Sequence, residues 1–314
     1  MDAVRILDDL YEKNLFNSME ILRLQYFQET SIMLLNDILE RFSGATTLQV
    51  RCSSFTSLFL TEEISQRITK SCPKIRKLWL YQLDQLKHIW NDGCVSDPFV
   101  QNLEDLTVRE CCSLTRLTPP SISFTNLTAL EVENCNGMIY LMTSSTAKSL
   151  VHLEYFKIDN CEMIEEVVQI DEGESEEEIN FESLMHLELN SLSSLKSFGS
   201  GKHTFIFPSL ITLIVRGCHK MQNFSSGLTV APVLTIVEVE NGKKRWKEDL
   251  NTTIKQLFLE KVCEIFMLIM LVLYYLYHKY SKLLFETKKK IMLTVTLESF
   301  SHFGINFIFL RVLN

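Results

Sequence analysis

Apolar residues in this chain follow a fifteen-residue signature, L-x-x-L-x-(L/V/I)-x-x-(C/L)-x-x-(L/I/M)-x-x-(L/V/F), that returns roughly every two dozen positions. One copy runs Leu103, Leu106, Val108, Cys111, Leu114, Leu117, and the next Leu127, Leu130, Val132, Cys135, Met138, Leu141. Three more begin at Leu153, Leu184 and Leu210, and carry Phe156/Ile158/Cys161, Leu187/Leu189/Leu192 and Leu213/Val215/Cys218 at the central positions. Weaker copies start at Met19, Ala45, Ile75 and Leu234, so successive starts lie 26, 30, 28, 24, 26, 31, 26 and 24 residues apart. Positions four and six alternate as on one face of a short strand, which sends positions five and seven to the other face. One such unit cannot hide its apolar side alone. Stacked units can, by sharing a continuous core.

A period in this range, with these offsets, predicts an α/β leucine-rich-repeat solenoid. Its parallel strands line a concave face, and its convex side is irregular or short-helical. The ninth position marks the chain leaving the strand, where a small buried side chain fits a tight turn, which accounts for Cys111, Cys135, Cys161 and Cys218. Outward positions five and seven give the candidate binding surface: Trp79/Tyr81, Thr107/Arg109, Glu131/Glu133, Lys157/Asp159, Glu188/Asn190, Ile214/Arg216 and Glu238/Glu240. Aromatic residues and arginine carry most of the energy at protein interfaces, so Trp79, Tyr81, Arg109 and Arg216 lead, with Glu131, Glu133, Lys157, Asp159 and Glu188 beside them.

The domain reading is residues 1–18 as a helical cap or degenerate repeat, 19–262 as the repeat array, and 263–314 as an apolar tail. Val4, Leu7, Leu10, Tyr11 and Leu15 have roughly helical spacing. Within the array, the acidic stretch near 171–180 reads as a solvated, mobile insertion. In the tail, Ile265 to Tyr277 is thirteen residues without a charge, followed by His278 and Lys279. That is short of the 17–25 or so a membrane span needs, though the flanking tyrosines and lysines suit an interface. Two readings of the tail stand: membrane association through 265–277, or an extension foreign to the native protein.

Charge narrows the partners. The net charge is −8. Ten Asp/Glu and no Lys/Arg fall between Glu162 and Glu182, which more than accounts for it. No basic stripe remains to track phosphates, so nucleic acid is not an expected partner. The start of the chain does not resemble a secretory signal, which favours the cytoplasm and reduced thiols for the nine cysteines. A linear column of thiols offers no tetrahedral cage, so no metal is expected. The acidic stretch lacks the ordered ligand spacing of a calcium loop. His88, His152, His186, His203 and His219 are scattered, read as surface residues, and belong to no recognisable catalytic arrangement. The chain reads as a non-enzyme without cofactors.

The phrases Glu133-Asn134-Cys135, Asp159-Asn160-Cys161 and Arg216-Gly217-Cys218 resemble one known group. So do Val50-Arg51-Cys52-Ser53-Ser54-Phe55, Leu86-Lys87-His88-Ile89-Trp90, Ile164-Glu165-Glu166-Val167-Val168 with its acidic follow-on, and Trp246-Lys247-Glu248-Asp249-Leu250-Asn251-Thr252-Thr253-Ile254. They are similar to the C-terminal repeat region of plant coiled-coil, nucleotide-binding, leucine-rich-repeat disease-resistance proteins, over roughly residues 19–262. The resemblance implies a recognition arm that senses a pathogen effector or a guarded host protein. It also implies a neighbouring ATP/ADP switch domain, but this sequence has no G-x-x-x-x-G-K-[ST] loop to cradle a nucleotide. Nucleotide binding is therefore not carried over, and the chain reads as a truncated relative. Alternative readings are a membrane-anchored repeat protein, a substrate adaptor, and a fragment without function.

Overall fold

Each apolar signature folds into one rung that opens with a short strand. The structure is a computed structural model that describes residues 19–27, 38–39, 42, 44–59, 74–90, 98–119, 122–171 and 177–287. The strands Ile21–Gln25, Thr47–Arg51, Lys77–Tyr81, Asp105–Arg109, Ala129–Glu133, Tyr155–Asp159, His186–Asn190, Thr212–Arg216 and Val237–Glu238 pair in chain order, all parallel. Lys244–Arg245 closes the last edge antiparallel. Registers align the fourth repeat position throughout. Leu22, Leu48, Leu78, Leu106, Leu130, Phe156, Leu187, Leu213 and Val237 form one row, and Leu24, Val50, Leu80, Val108, Val132, Ile158, Leu189 and Val215 the next. Every member of both rows is buried. The row is a direct consequence of the period, because a one-residue slip would turn each rung's apolar pair outward.

The return side is short-helical in part, as expected, and more regular elsewhere. It holds the short helices Pro98–Asn102 and Ser144–Ser149. It also holds parallel strand groups: Ser57–Phe59 with His88–Trp90, Tyr140–Thr143 with Glu166–Gln169, and Glu178–Asn180 with Thr204–Ile206 and Thr229–Val230. Between these and the main sheet the core becomes aromatic. Phe198 lies with its ring centroid 5.0 Å from Phe224, 5.4 Å from Phe205, 5.8 Å from Phe207 and 6.0 Å from Phe181. Trp90 likewise bridges Phe59 at 5.9 Å and Phe124 at 5.6 Å. Phe198 and Phe224 hold the fifteenth position of their repeats, and both rings are fully buried.

The turn out of each strand is made one position earlier than the sequence reading placed it. Tyr26, Cys52, Gln82, Glu110, Asn134, Asn160, Ser191 and Gly217 all have φ between 46° and 65°. These are the eighth positions of eight successive repeats. The left-handed conformation bends the chain inward, while seven of these amides still donate to the next rung's carbonyl, as in Asn134 N to Asp159 O at 3.0 Å. The ninth residue then locks the bend. Cys135 Sγ donates to Glu133 O at 3.3 Å, Cys161 Sγ to Asp159 O at 3.4 Å and Cys218 Sγ to Arg216 O at 3.4 Å. Ser53 Oγ does the same to Arg51 O at 2.7 Å. A short side chain with one donor suits this position in the rungs that hold Ser53, Cys111, Cys135, Cys161 and Cys218, while Phe27, Leu83 and Leu192 fill it without such a bond. Burial pushes the Cys218 thiol up to about 12, so it stays protonated and able to donate.

A residue with a Cβ pays roughly 1–2 kcal/mol for a left-handed backbone, and glycine does not. Ser191 (φ 52°) is exposed. Ser191→Gly is expected to stabilise the protein by about 0.5–1 kcal/mol, read as a higher urea midpoint. A lower midpoint would show that this turn is not strained.

The acidic insertion is more ordered at its borders than expected. Asp171 accepts hydrogen bonds from Ser144 Oγ at 2.9 Å and from Ser145 N at 3.0 Å, at the start of the Ser144–Ser149 helix. Burial would raise its pKa, but these hydrogen bonds outweigh it and hold the carboxyl below its usual value. Glu177 reaches Lys148 at 2.6 Å, and Glu178–Asn180 is a ladder strand with Ile179 fully buried. A solvated loop is thus the wrong description for Asp171 and 177–180. Residues 172–176 lie outside those described.

The array ends in a built cap. Asp249 Oδ1 accepts from Thr252 N at 2.8 Å, which starts the helix Leu250–Thr287 in the manner of an N-cap. Asn251 turns back onto the last rung, accepting from Ser225 N at 2.8 Å and donating to Gly227 O at 3.1 Å. Leu250 and Ile254 are buried beneath it. The chain divides into two compact units, residues 1–261 and 262–314. In the second, Ile265, Met267, Leu268, Leu271, Val272, Tyr274 and Tyr275 are exposed. Among the described residues, however, no helix is long and apolar enough to cross a membrane. The uncharged run is thirteen residues, with Lys261 and Glu264 before it and Lys279 after it, so a membrane span through 265–277 finds no support. The proposed cap over 1–18 lies outside the described residues, as does 291–314.

Candidate protein-binding surface

The outward face of the main sheet carries three side-chain columns, one from each odd strand position. The middle column is Arg23, Gln49, Trp79, Thr107, Glu131, Lys157, Glu188, Ile214 and Glu238. The second is Gln25, Arg51, Tyr81, Arg109, Glu133, Asp159, Asn190 and Arg216. All nine residues singled out from sequence therefore lie on one sheet face, and all are half-buried. Glu240 does not belong with them. It opens the 3-10 turn Glu240–Gly242, and its carboxylate accepts from Gly217 N at 3.3 Å.

A third column, Lys77, Asp105, Ala129, Tyr155, His186 and Thr212, escaped the sequence reading. The signal was available: if positions five and seven point outward, position three does too. It matters chemically. Asp105 Oδ1 accepts from Trp79 Nε1 at 3.1 Å and from Thr107 Oγ1 at 3.3 Å, fixing the indole. His186 stacks on Tyr155 with centroids 4.9 Å apart, and its Nε2 is 3.4 Å from Glu188. His203, read as a surface histidine, is instead buried at the return wall.

Charges across the middle rungs neutralise one another. Arg109 pairs with Glu131 at 2.9 Å and Glu133 at 3.3 Å. Lys157 lies 3.4 Å from Glu131 and 3.3 Å from Asp159. Arg216 pairs with Glu238. The hydrogen bond that the Arg109 guanidinium donates to Glu131 holds it above its usual pKa. Burial would lower Lys157, but Asp159 and Glu131 outweigh it and raise it. Burial raises both Tyr81 and Tyr155, which therefore present neutral phenols. Such half-exposed pairs contribute on the order of 0.2–1 kcal/mol each. Their larger effect is to hold long side chains in one pose, which lowers the ordering cost when a partner lands. Among the described residues no group of three or more His, Cys, Asp and Glu is placed to hold a metal.

Comparison with known proteins fits this geometry. The family described as "Plant disease resistance protein RPS2-like, leucine-rich repeats" matches in two overlapping spans, residues 5–123 and 115–243. The chain belongs to this family. Its similarity to a probable disease resistance protein of Arabidopsis thaliana is 27% identity over 203 residues, 63% of this chain and 20% of that protein. It thus spans about a fifth of the length of that relative. Among solved structures, the leucine-rich repeat domain of the type III effector XCV3220 (XopL) aligns at 14% identity and a TM-score of 0.39, over 74% of this chain and 83% of that one. Membership of this repeat family supports a protein-interaction module.

Proposed function

We propose that the chain is a recognition module of plant defence, binding a protein ligand through the outward face of its main sheet. The observation that carries this reading is the pre-set surface of Trp79, Tyr81 and Arg109. Two large aromatic residues adjoin an arginine on the next strand, each held by neighbours and each partly exposed. Interfaces draw most of their energy from these residue types when they are fixed before contact. Membership of a disease-resistance repeat family points to a pathogen effector, or a host protein that effectors attack, as the ligand class. On the middle and last rungs of this face, Arg109, Lys157 and Arg216 are paired with carboxylates of neighbouring rungs.

The test is a capture experiment from plant extract with the full chain, a Trp79→Ala/Tyr81→Ala/Arg109→Ala variant, and a control with Lys202→Ala on the return side. The triple variant is expected to lose its specific partner by at least about thirtyfold, on the basis of roughly 1–2 kcal/mol for each of two or three anchors. The control should retain it. Identical partner sets for all three proteins would defeat the assignment of this face.

A further inference from the structure

We infer that the first three rungs form a distinct subsite for an acidic peptide segment of the protein ligand, a refinement that rests on the recognition reading above. Outward positions of the strands Ile21–Gln25, Thr47–Arg51 and Lys77–Tyr81 supply Arg23, Arg51 and Lys77 and no carboxylate. From Asp105 to Glu238 the same columns supply six carboxylates, namely Asp105, Glu131, Glu133, Asp159, Glu188 and Glu238, against Arg109, Lys157 and Arg216. The sheet face is therefore split in sign along its length.

The two ends also differ in what their cations do. Arg109, Lys157 and Arg216 each sit on a carboxylate of a neighbouring rung. Arg23 instead donates Nε to the amide oxygen of Gln49 at 2.6 Å, and Arg51 lies over the Tyr81 ring at 5.3 Å. Lys77 has Asp105 as its ladder partner, and Asp105 Oδ1 accepts from Trp79 and Thr107 rather than from the lysine. Among the described residues, none of the three cations has a carboxylate within ion-pair distance. All three are exposed. Among the described residues these charges are therefore not neutralised, with Arg23 and Arg51 positioned by Gln49 and Tyr81, beside an indole and a phenol ring that offer apolar area.

This combination selects by chemistry. A carboxylate-rich segment gains charge-assisted hydrogen bonds from Arg23, Arg51 and Lys77, and an aromatic or aliphatic residue within it gains contact with Trp79 and Tyr81. A basic segment is repelled here, and would be drawn to the opposite end. Electrostatic complementarity of this type sets orientation and association rate, so the split face also fixes which way the ligand lies.

A random dodecapeptide display selection on the immobilised full chain tests the subsite. Enriched peptides are expected to combine Asp/Glu with an aromatic or aliphatic residue. One such peptide, measured by fluorescence anisotropy, should lose at least tenfold in affinity on Arg51→Glu/Lys77→Glu substitution. It should lose a comparable factor when its own Glu are replaced by Gln, and weaken between 50 and 500 mM salt. The milder Arg51→Gln/Lys77→Gln pair, with circular dichroism of both variants, separates lost charge from lost fold. Neutral or basic enriched peptides would overturn the proposal, as would an unchanged affinity in a folded charge-reversed variant. Equal retention of RNA of matched charge would overturn it too, since that marks a generic polyanion surface. Protein-partner capture that depends on Trp79 and Tyr81 but survives Arg51→Glu/Lys77→Glu would sink the subsite alone. Capture indifferent to both variants would sink the recognition face with it.

Discussion

Phe198→Ala is expected to destabilise the protein by about 3–5 kcal/mol, the range for removing a fully buried aromatic ring. The ring is completely enclosed and stands among Phe181, Phe205, Phe207 and Phe224, with centroids no more than 6.0 Å away. Neighbours that are themselves rings held by two walls cannot collapse into the space, so the cavity persists. Phe198→Leu keeps most of the volume and should cost under about 1.5 kcal/mol. Urea unfolding followed by far-ultraviolet circular dichroism reads both. A loss below about 1 kcal/mol for the alanine variant would mean that the walls close up without the ring and that the aromatic core is not rigid.

The second large effect is expected at Gly227. A Cβ there would stand 2.1 Å from His203 O and 2.8 Å from the carbonyl carbon and oxygen of Lys202. These are backbone atoms of the adjacent rung, so relief requires the rungs to separate. Overpacking of this kind costs about 1–3 kcal/mol. The carbonyl of Gly227 also receives Asn251 Nδ2, so displacing it loosens the end cap. Gly227→Ala should therefore lower stability by about 2–3 kcal/mol and open the last rungs to limited proteolysis before the rest. Gly242→Ala is the contrast. Its Cβ meets nothing within 4 Å, and only its φ of 67° resists, so about 1 kcal/mol is expected. Equal sensitivity of the two variants to protease would remove the cap argument.

Most of the fold could be read from one strand's worth of spacing. Leu106, Leu130, Phe156, Leu187 and Leu213 stand in a single row because each rung repeats the same offsets. The same offsets placed Trp79, Tyr81, Arg109, Glu131, Glu133, Lys157, Asp159, Glu188 and Arg216 on the opposite face. Asn134, Asn160 and Gly217 also announced the left-handed turn, since Asn and Gly tolerate it best. Gln82, Glu110 and Ser191 did not, because there the stacked neighbours impose a conformation their own preferences resist.

Local periodicity, then, determined the rungs, their direction and which side chains face out, because those depend only on a residue's position within its own repeat. Tertiary structure alone decided which outward charges are cancelled by the next rung and which are left available. It also decided that the acidic border at Asp171 caps a helix and that a phenylalanine cluster spaces the two walls. Each of these depends on contacts between neighbouring rungs, such as Arg216 with Glu238, Ser144 with Asp171 and Phe198 with Phe224, whose distances are set by how the rungs stack.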